Sequence, residues 1–334
     1  MKSQALGRGY QAIPFAMLAP AIGFALVLLI YWIQQPLILS DFGIVSLCNQ
    51  SVALSLAAMA QTLVVIAGGI DLSVGSLISL STCFAATYMG TSEGAAVPVL
   101  CATLLIGVLT GALNGALVVF GQLEPLIATL GTSFVFGGIA LQIRPQPGGS
   151  VPPWFATMLT GNLSFLPYSL VLLLVTVCLI WVPLRKSRIG RAIQAVGNNE
   201  HSAYISGLNP KKAKLFAYAT AGLLTAVAGL FITAQTTSGD PNVGDAYTLN
   251  SIAAVVLGGV SLRGGRGRIA GPILSGFLLS TIVSALLAWG ISALWQSLIQ
   301  GLVLLLVLAG VGLQIQRSES WRQFFGCSPP WKKP

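Results

Sequence analysis

Val64–Ser76 reads VVIAGGIDLSVGS and lies between two apolar runs, each about long enough to cross a bilayer as a helix. It holds three glycines, an aspartate and two serines. In water this pattern is an ordinary turn with an aspartate helix cap. In a hydrophobic protein it says more, because a carboxylate and interrupted backbone are costly beside lipid unless protein or a water-filled cavity receives them. The surrounding composition decides which reading applies.

Of the 334 residues, 55% are hydrophobic and 7% charged, and mean hydropathy is +0.84. A soluble domain carries about 25% charged residues, so the chain is an integral membrane protein. Apolar runs of roughly 20 residues recur along it, the length of a spanning helix. The period-two alternation of a membrane β-barrel is missing. The net charge of +9 suggests nucleic acid at first. The bases, however, fall in short clusters between apolar runs, as cytoplasmic loops do under the positive-inside rule. The expected partner is the lipid bilayer, with no nucleic acid. Cys48, Cys83, Cys101, Cys178 and Cys327 have no metal or redox spacing and read as small buried hydrophobes. The apolar run 13–33 behind Lys2 and Arg8 is longer than a signal-peptide core and lacks a small-x-small cleavage site, so it reads as a retained first span.

The expected fold is all-α: a polytopic membrane protein with about ten transmembrane helices and both termini cytoplasmic. Residues 1–334 form a single transmembrane domain. The spans fall near 13–34, 48–67, 72–90, 96–119, 126–142, 164–184, 214–235, 246–262, 269–288 and 292–313. The third and eighth are short and rich in Gly or Ser. With the N-terminus inside, this count puts sixteen of seventeen Lys and Arg residues on the cytoplasmic face, all but Arg144. Two outer loops stand out as a landing surface for something outside the membrane. Arg144–Pro153 (RPQPGGSVPP) is expected to be irregular, and Ser238–Asp245 (SGDPNVGD) carries two acids and no base.

Small residues recur at helix-packing spacing. Gly107, Gly111 and Gly115 form a doubled G-x-x-x-G, and Gly276, Ser280 and Ser284 repeat the interval. Val65–Gly75 (VIAGGIDLSVG) is echoed by Val255–Gly265 (VVLGGVSLRGG), with five identities in eleven positions. Duplicated halves with matching interrupted helices are common in transporters.

No catalytic constellation is present. The single histidine, His201, sits in a basic loop and reads as solvated. There is no H-E-x-x-H, no cysteine cluster and no paired acid within a span, so no metal site and no enzyme is expected. G-x-x-x-x-G-K-[ST] is also missing, so the chain itself is expected to hold no cofactor and hydrolyse no ATP. The spans offer neutral polarity instead, in Asn49, Gln50, Gln61, Asn114, Gln142, Gln296 and Gln300. Amides both donate and accept, which suits an uncharged, hydroxyl-bearing solute. Asn49, Gln50, Gln61 and Asn114 are the pathway candidates, against the alternative that each amide bonds a neighbouring helix. For Asn114, flanked by Gly111 and Gly115, helix packing is the stronger alternative.

The largest inside loop, about 185–214, has a short amphipathic stretch, Ala192–Ser206, between two basic clusters. Its apolar side is Ile193, Val196 and Ile205. Asn198 or Asn199 is placed to cap a helix over 200–206 that Gly207 ends. Such a helix lies on the membrane or docks in a protein groove, and its small apolar face favours the protein.

At four blocks the chain resembles the permease subunits of bacterial ABC sugar importers of the ribose type. They are Gly68–Gly75 (GGIDLSVG); Gly111–Val118 (GALNGALV) with Pro125–Thr132 (PLIATLGT); Gly190–Gly207 with AVGN at Ala195–Asn198; and Ile252–Leu262 (IAAVVLGGVSL) with Gly264, Gly265, Gly267 and Gly271. The resemblance implies a second permease chain, identical or related, as partner. It also implies two cytoplasmic ABC ATPases carrying the ATP and Mg, and a periplasmic sugar-binding protein, all at a bacterial inner membrane. It gives the ATPase-coupling role to the segment holding Gly190, Ala195, Gly197, Asn198, Ser206 and Gly207. Departures from the family pattern stand at Ser202-Ala203, Asn250 and Glu124-Pro125-Leu126. The function implied is import of a monosaccharide or similar neutral polyol. The rivals are a branched-chain amino-acid permease, a stand-alone channel or carrier and, last, a membrane enzyme.

Charge counting returns to Val64–Ser76 and puts it at the cytoplasmic ends of the second and third spans. Gly68, Gly69, Asp71, Ser73 and Gly75 then read as a hinge beside an inner gate. Asp71 reads as an N-cap of the third span rather than a substrate ligand.

Overall fold

The computed structural model of the protein describes residues 13–164 and 166–291, together with Trp295, Leu298, Gly301 and Leu302. The expected span at 292–313 and its Gln296 and Gln300 fall largely or wholly outside these residues. So do Lys2, Arg8, Arg317, Arg322, Cys327, Lys332 and Lys333. Contacts gather the chain into two units, Met1–Ala285 and Leu286–Pro334, and the bundle belongs to the first. Its helices in chain order are α1 (Ile13–Gln34), α2 (Asp41–Ile66), α3 (Val74–Tyr88), α4 (Glu93–Val119), α5 (Pro125–Ile143), α6 (Pro153–Thr160) and α7 (Tyr168–Thr176). A π-helical turn, Val177–Trp181, carries α7 into α8 (Val182–Lys186). Then come α9 (Arg188–Asn198), α10 (Glu200–Ile205), α11 (Pro210–Thr236), α12 (Asp245–Leu257) and α13 (Ala270–Ala288). The only sheet among the described residues is a two-residue hairpin, Asn162–Leu163 with Leu166–Pro167.

Six of these elements are long and apolar enough to cross a membrane: α2, α4, α5, the run from Tyr168 to Lys186, α11 and α13. Three shorter apolar helices, within α1 and at α3 and α12, accompany them. Nine of the ten expected spans therefore coincide with helices. As expected, the third and eighth are short, at 15 and 13 residues. At 1.5 Å per residue they reach about 22 and 20 Å, less than the roughly 30 Å of hydrocarbon. Pattern reading missed α6 and the start of α2. The latter begins at Asp41 because the Ser40 hydroxyl accepts the Gly43 N–H at 3.2 Å and nucleates the helix seven residues before the apolar run. Two of the cysteines are also corrected: Cys101 and Cys178 are exposed on apolar helix surfaces, whereas Cys48 and Cys83 are buried.

Helix α2 is the axis of the bundle. Every side chain from Ser51 to Ile66 is buried, and the stretch is built mainly from Ala, Ser, Val and Leu, leaving room for neighbours on all sides. Helix α11 packs on α2, α3 and α4. Against α4 the contact is backbone to backbone: a Cβ on Gly111 would run into the Tyr218 carbonyl, and one on Gly222 into the Gly107 carbonyl. The G-x-x-x-G row therefore packs helices, as the spacing indicates. Gly276 of α13 meets Ser55 of α2 in the same way, a Cβ there lying 3.0 Å from the Ser55 Cα.

The two ends of the bundle differ in charge. One end gathers the connections 67–73, 120–124, 187–209 and 258–269. Of the eleven described Lys and Arg residues, ten lie in those connections or the adjoining helix turns, and only Arg144 does not. At the other end the loops at 144–153 and 237–244 are joined. Gly148 and Gly239 exchange backbone hydrogen bonds of 2.9 and 2.8 Å, and Ser150 N–H donates to the Ala86 carbonyl at 3.1 Å. The two loops singled out in the sequence thus form one surface, to which Arg144 is tied by its Nε bond of 3.0 Å to Thr87.

The α4–α11 contact gives a test of packing. Gly111→Leu drives a side chain into backbone, an overpacking that costs about 1–3 kcal/mol or more. Gly131→Leu on α5, where a Cβ meets nothing within 4 Å, is the control. Thermal unfolding of the purified chain in detergent is expected to show a clear drop in Tm for the first and little change for the second.

Candidate functional site

The site lies where α2 stops. Ala67 ends the helix, and Gly68 adopts a left-handed φ of +90°. Gly68 N–H donates to the Val65 carbonyl and Gly69 N–H to the Val64 carbonyl, both at 3.0 Å, the paired bonds of a Schellman ending. Only glycine takes that φ without strain. The next residues pass beneath Tyr218, whose hydroxyl a Cβ on Gly69 would strike.

Asp71, 4% exposed, is held from four elements. Its Oδ1 accepts the Ser73 N–H at 2.8 Å and the Ser73 hydroxyl at 2.6 Å. Asn114 Nδ2 of α4 donates to Ser73 Oγ at 2.7 Å, and Asn114 Oδ1 accepts from Thr132 Oγ1 of α5 at 2.6 Å. One residue earlier, Leu72 N–H donates to Thr129 Oγ1 at 3.0 Å. From α2, the Gln61 amide pairs with the Asp71 backbone. Oriented with its nitrogen toward the Asp71 carbonyl, it donates at 3.0 Å and accepts the Asp71 N–H at 3.2 Å. The broken backbone thus gets in the interior the partners that lipid cannot supply.

This arrangement corrects the cap reading. The N-cap position of α3 is Ser73, without a side-chain capping bond, and Asp71 two residues earlier closes a turn onto it. Asp71 is the centre of a clamp joining α2, α3, α4 and α5. Thr129 and Thr132 were not singled out from sequence. Their signal was available, two hydroxyls one turn apart in PLIATLGT that face the same side of a helix.

The four pathway candidates do not come together. Gln61 and Asn114 belong to the clamp and are buried. Asn49 donates to the Thr160 carbonyl at 2.8 Å, and Gln50 accepts the Ser284 hydroxyl. Eleven residues separate Gln50 from Gln61 on α2, roughly 16 Å along the axis. The alternative of amides bonding their neighbours describes all four.

The loop at 185–214 folds as two short helices. Ser187 caps α9, its Oγ accepting the Gly190 N–H at 3.0 Å. Asn199 caps α10 by accepting the Ser202 N–H at 2.8 Å, and Gly207, at φ +81°, ends it as the sequence indicates. The apolar side expected of the loop is divided. Ile193 and Val196 are buried against the protein's own core, while Ile205 and Tyr204 on α10 are exposed. These two lie on a second helix, beyond the break at Asn199. Of the other segment residues, Gly190 sits under the Leu184 carbonyl, Ala195 is half-buried, and Asn198 and Ser206 are exposed.

Gly197 makes the decisive contact. A Cβ there would collide with the Ile66 carbonyl and lie 2.8 Å from the Gly265 nitrogen. Gly265 N–H donates to that same carbonyl at 2.9 Å. A Cβ on Gly68 would stand 3.7 Å from the Gly197 Cα, and one on Gly264 3.0 Å from the Gly68 Cα. The glycine turns at 68 and 264–265 and the last turn of α9 at Gly197 therefore meet backbone to backbone at the end of α2. Gly75 is equally tight, its Cβ direction blocked by the Gly244 carbonyl at the start of α12.

Comparison with known proteins agrees with this architecture. The family model described as branched-chain amino acid transport system / permease component matches residues 43–308. The ribose import permease protein RbsC of Bacillus subtilis (strain 168) is 35% identical over 298 residues, 87% of this chain and 91% of that protein. The protein of the same name from Haemophilus influenzae is 34% identical, covering 85% and 90%. The autoinducer 2 import system permease protein LsrD of Yersinia enterocolitica is 32% identical, covering 80% and 82%. No solved structure matches the chain. With a model covering most of its length and relatives matched nearly end to end, the chain belongs to this family of transport-system permease components.

Proposed function

We propose that the chain is the membrane-spanning subunit of an ATP-driven importer that moves a monosaccharide or similar neutral polyol across a bacterial inner membrane. The observation that carries the mechanism is Gly197 against the Ile66 carbonyl. Force applied to α9 and α10 reaches the end of α2 through backbone, with no flexible side chain between. The basic end, holding ten of the eleven described bases, faces the cytoplasm under the positive-inside rule. With a tenth span, that orientation puts both termini inside.

A cytoplasmic ATPase pair, holding ATP and Mg, would dock on α10, where Tyr204 and Ile205 stand exposed, and press α9 and α10 against the break. Gly68, Gly69, Asp71, Ser73 and Gly75 would then form the hinge, the Asp71 clamp holding α3, α4 and α5 to it as one body. A substrate-binding protein would land on the joined loops 144–153 and 237–244. A second permease chain would complete the passage. Sugar rather than amino acid is favoured by the relatives' names, ribose import and autoinducer 2 import, and by chemistry. Apart from Asp71, already engaged by Ser73, and charges at the helix ends, the spans offer neutral amides and hydroxyls, whereas a zwitterionic amino acid needs charged partners.

Uptake by proteoliposomes holding all subunits tests the substrate class. Labelled ribose or a related monosaccharide is expected to accumulate with ATP inside, and leucine is not; the reverse would hand the chain to the amino-acid branch. Transport by the purified chain alone would make it a channel or carrier.

Gly197→Leu is expected to insert normally, cut uptake roughly tenfold or more and leave ATP hydrolysis running without transport, since overpacking of about 1–3 kcal/mol shifts a conformational equilibrium by that order. Unchanged uptake would remove the coupling role.

Asp71→Asn keeps the shape of the clamp but replaces the carboxyl oxygen that accepts both Ser73 bonds, a change worth about 0.5–1.5 kcal/mol per bond. Its Tm and uptake rate are expected to fall while the ranking of competing sugars stays the same. Altered sugar ranking with normal stability would make Asp71 a substrate ligand instead.

A further inference from the structure

A second site lies beside the coupling helices, on the side of α2 away from the Asp71 clamp. A shallow open groove is lined by Leu63, Ile66, Trp181 and Leu184, with Arg185 and Gln194 among its polar members. Its depth profile has an order. Trp181 is buried and Arg185 exposed, and the two are four residues apart, so they share a face with the guanidinium about 6 Å further along the axis. The π-helical turn at Val177–Trp181 leads into this face. Leu179 and Val182 beside it are exposed and apolar, so the groove borders the lipid-facing surface.

Charge completes the description. Arg185, Lys186, Arg188 and Arg191 crowd into seven residues and are all exposed. Among the described residues the one ion pair is Lys214–Glu200, elsewhere on this end, so none of the four cations has an acidic partner there. Arg191 is turned back onto the Lys186 carbonyl at 3.0 Å. A base at the water side, an amide and an indole next to it and aliphatic side chains beyond match the sequence of phosphate, ester region and acyl chain in a phospholipid. Basic grooves between helices at the cytoplasmic interface suit anionic headgroups.

We propose that this groove binds an anionic phospholipid of the inner leaflet, its phosphate at Arg185 and the upper part of one acyl chain over the exposed Val182 and Leu179 at the groove's lipid-facing edge, with Trp181 as its floor. A lipid there would lie beside α8 and α9, over a groove whose floor leads toward Ile66, the residue on which Gly197 bears. The proposal rests on the inward orientation given above, but not on the transported solute.

Native mass spectrometry of the purified full-length chain tests it, using dioleoyl phosphatidylglycerol and dioleoyl phosphatidylcholine as probes. The wild type is expected to retain the anionic lipid over the neutral one. Arg185→Gln is expected to weaken that retention about fivefold, the effect of one interfacial base. Arg263→Gln, removing an exposed base from the 258–269 loop, should leave it unchanged. Equal retention of both lipids, or equal losses in the two variants, would reduce the effect to general surface charge and overturn the site. Displacement by glycerol phosphate would show that the acyl chain is not held, and loss of the lipid when the ATPase assembles would give the groove to that protein. Because the readout needs no transport, its failure leaves the sugar-import reading intact, and failed sugar uptake leaves this one intact.

Discussion

A helix that stops inside a membrane protein leaves carbonyls and amides that water cannot reach, and each must find a partner in the protein. At the end of α2 this constraint is met from every side. Gly265 takes the Ile66 carbonyl, Thr129 takes the Leu72 amide, and Gln61 takes both backbone groups of Asp71. The carboxylate of Asp71 is met by Ser73, which Asn114 and Thr132 hold in turn. Five segments are therefore ordered by one interruption. Removing any of them would leave a buried polar group unpaired, at a cost of about 1–3 kcal/mol. That is enough to explain why a break tolerable in a loop is kept so rigidly here.

The bundle around it was legible because lipid imposes simple rules. Length and hydropathy located nine helices, charge assigned the two ends, and the Gly107–Gly111–Gly115 spacing identified the face that packs on α11. The caps were legible too: Asn199 and Gly207 bound α10 because an amide oxygen accepts an N–H three residues on and glycine tolerates a positive φ. What periodicity missed has no hydropathy signal. Helix α6 follows a proline-rich loop, and the π-helical turn after α7 sits within a uniformly apolar run.

The candidate site was legible as a list and opaque as an arrangement. Gly68, Asp71, Ser73, Gly197 and Asn114 were all picked out, but from sequence they belonged to three separate roles: hinge, coupling and pathway. Their convergence depends on contacts across 41 to over 120 residues, such as Asn114 with Ser73 and Gly197 with Ile66. Asp71 shows the difficulty plainly. An acid before a helix is locally indistinguishable from a cap, and only the position of α4 and α5 reveals that its partners come from other elements. Ile205 failed for the opposite reason. At 100° per residue Ile205 falls about 120° from Ile193 and about 180° from Val196. Even one continuous helix would not have put the three on a single side, and α10 starts afresh after Asn199.

The echo between Val65–Gly75 and Val255–Gly265 gains a physical basis that five identities could not provide. After α12, Gly259 N–H donates to the Val256 carbonyl and Val260 N–H to the Val255 carbonyl, with Gly259 at φ +72°. These are the paired bonds that Gly68 and Gly69 make after α2, displaced by one residue in the echo's register. The two segments therefore stop their helices by the same device. They also touch, through Gly265 N–H on the Ile66 carbonyl, with Gly197 between them. Gly197 therefore bears on both breaks at once. The short helices α3 and α12 that border these breaks also meet closely, backbone to backbone at Gly75 and Gly244. The glycines that made the stretch recognisable are thus the points at which the two interrupted helices meet backbone to backbone.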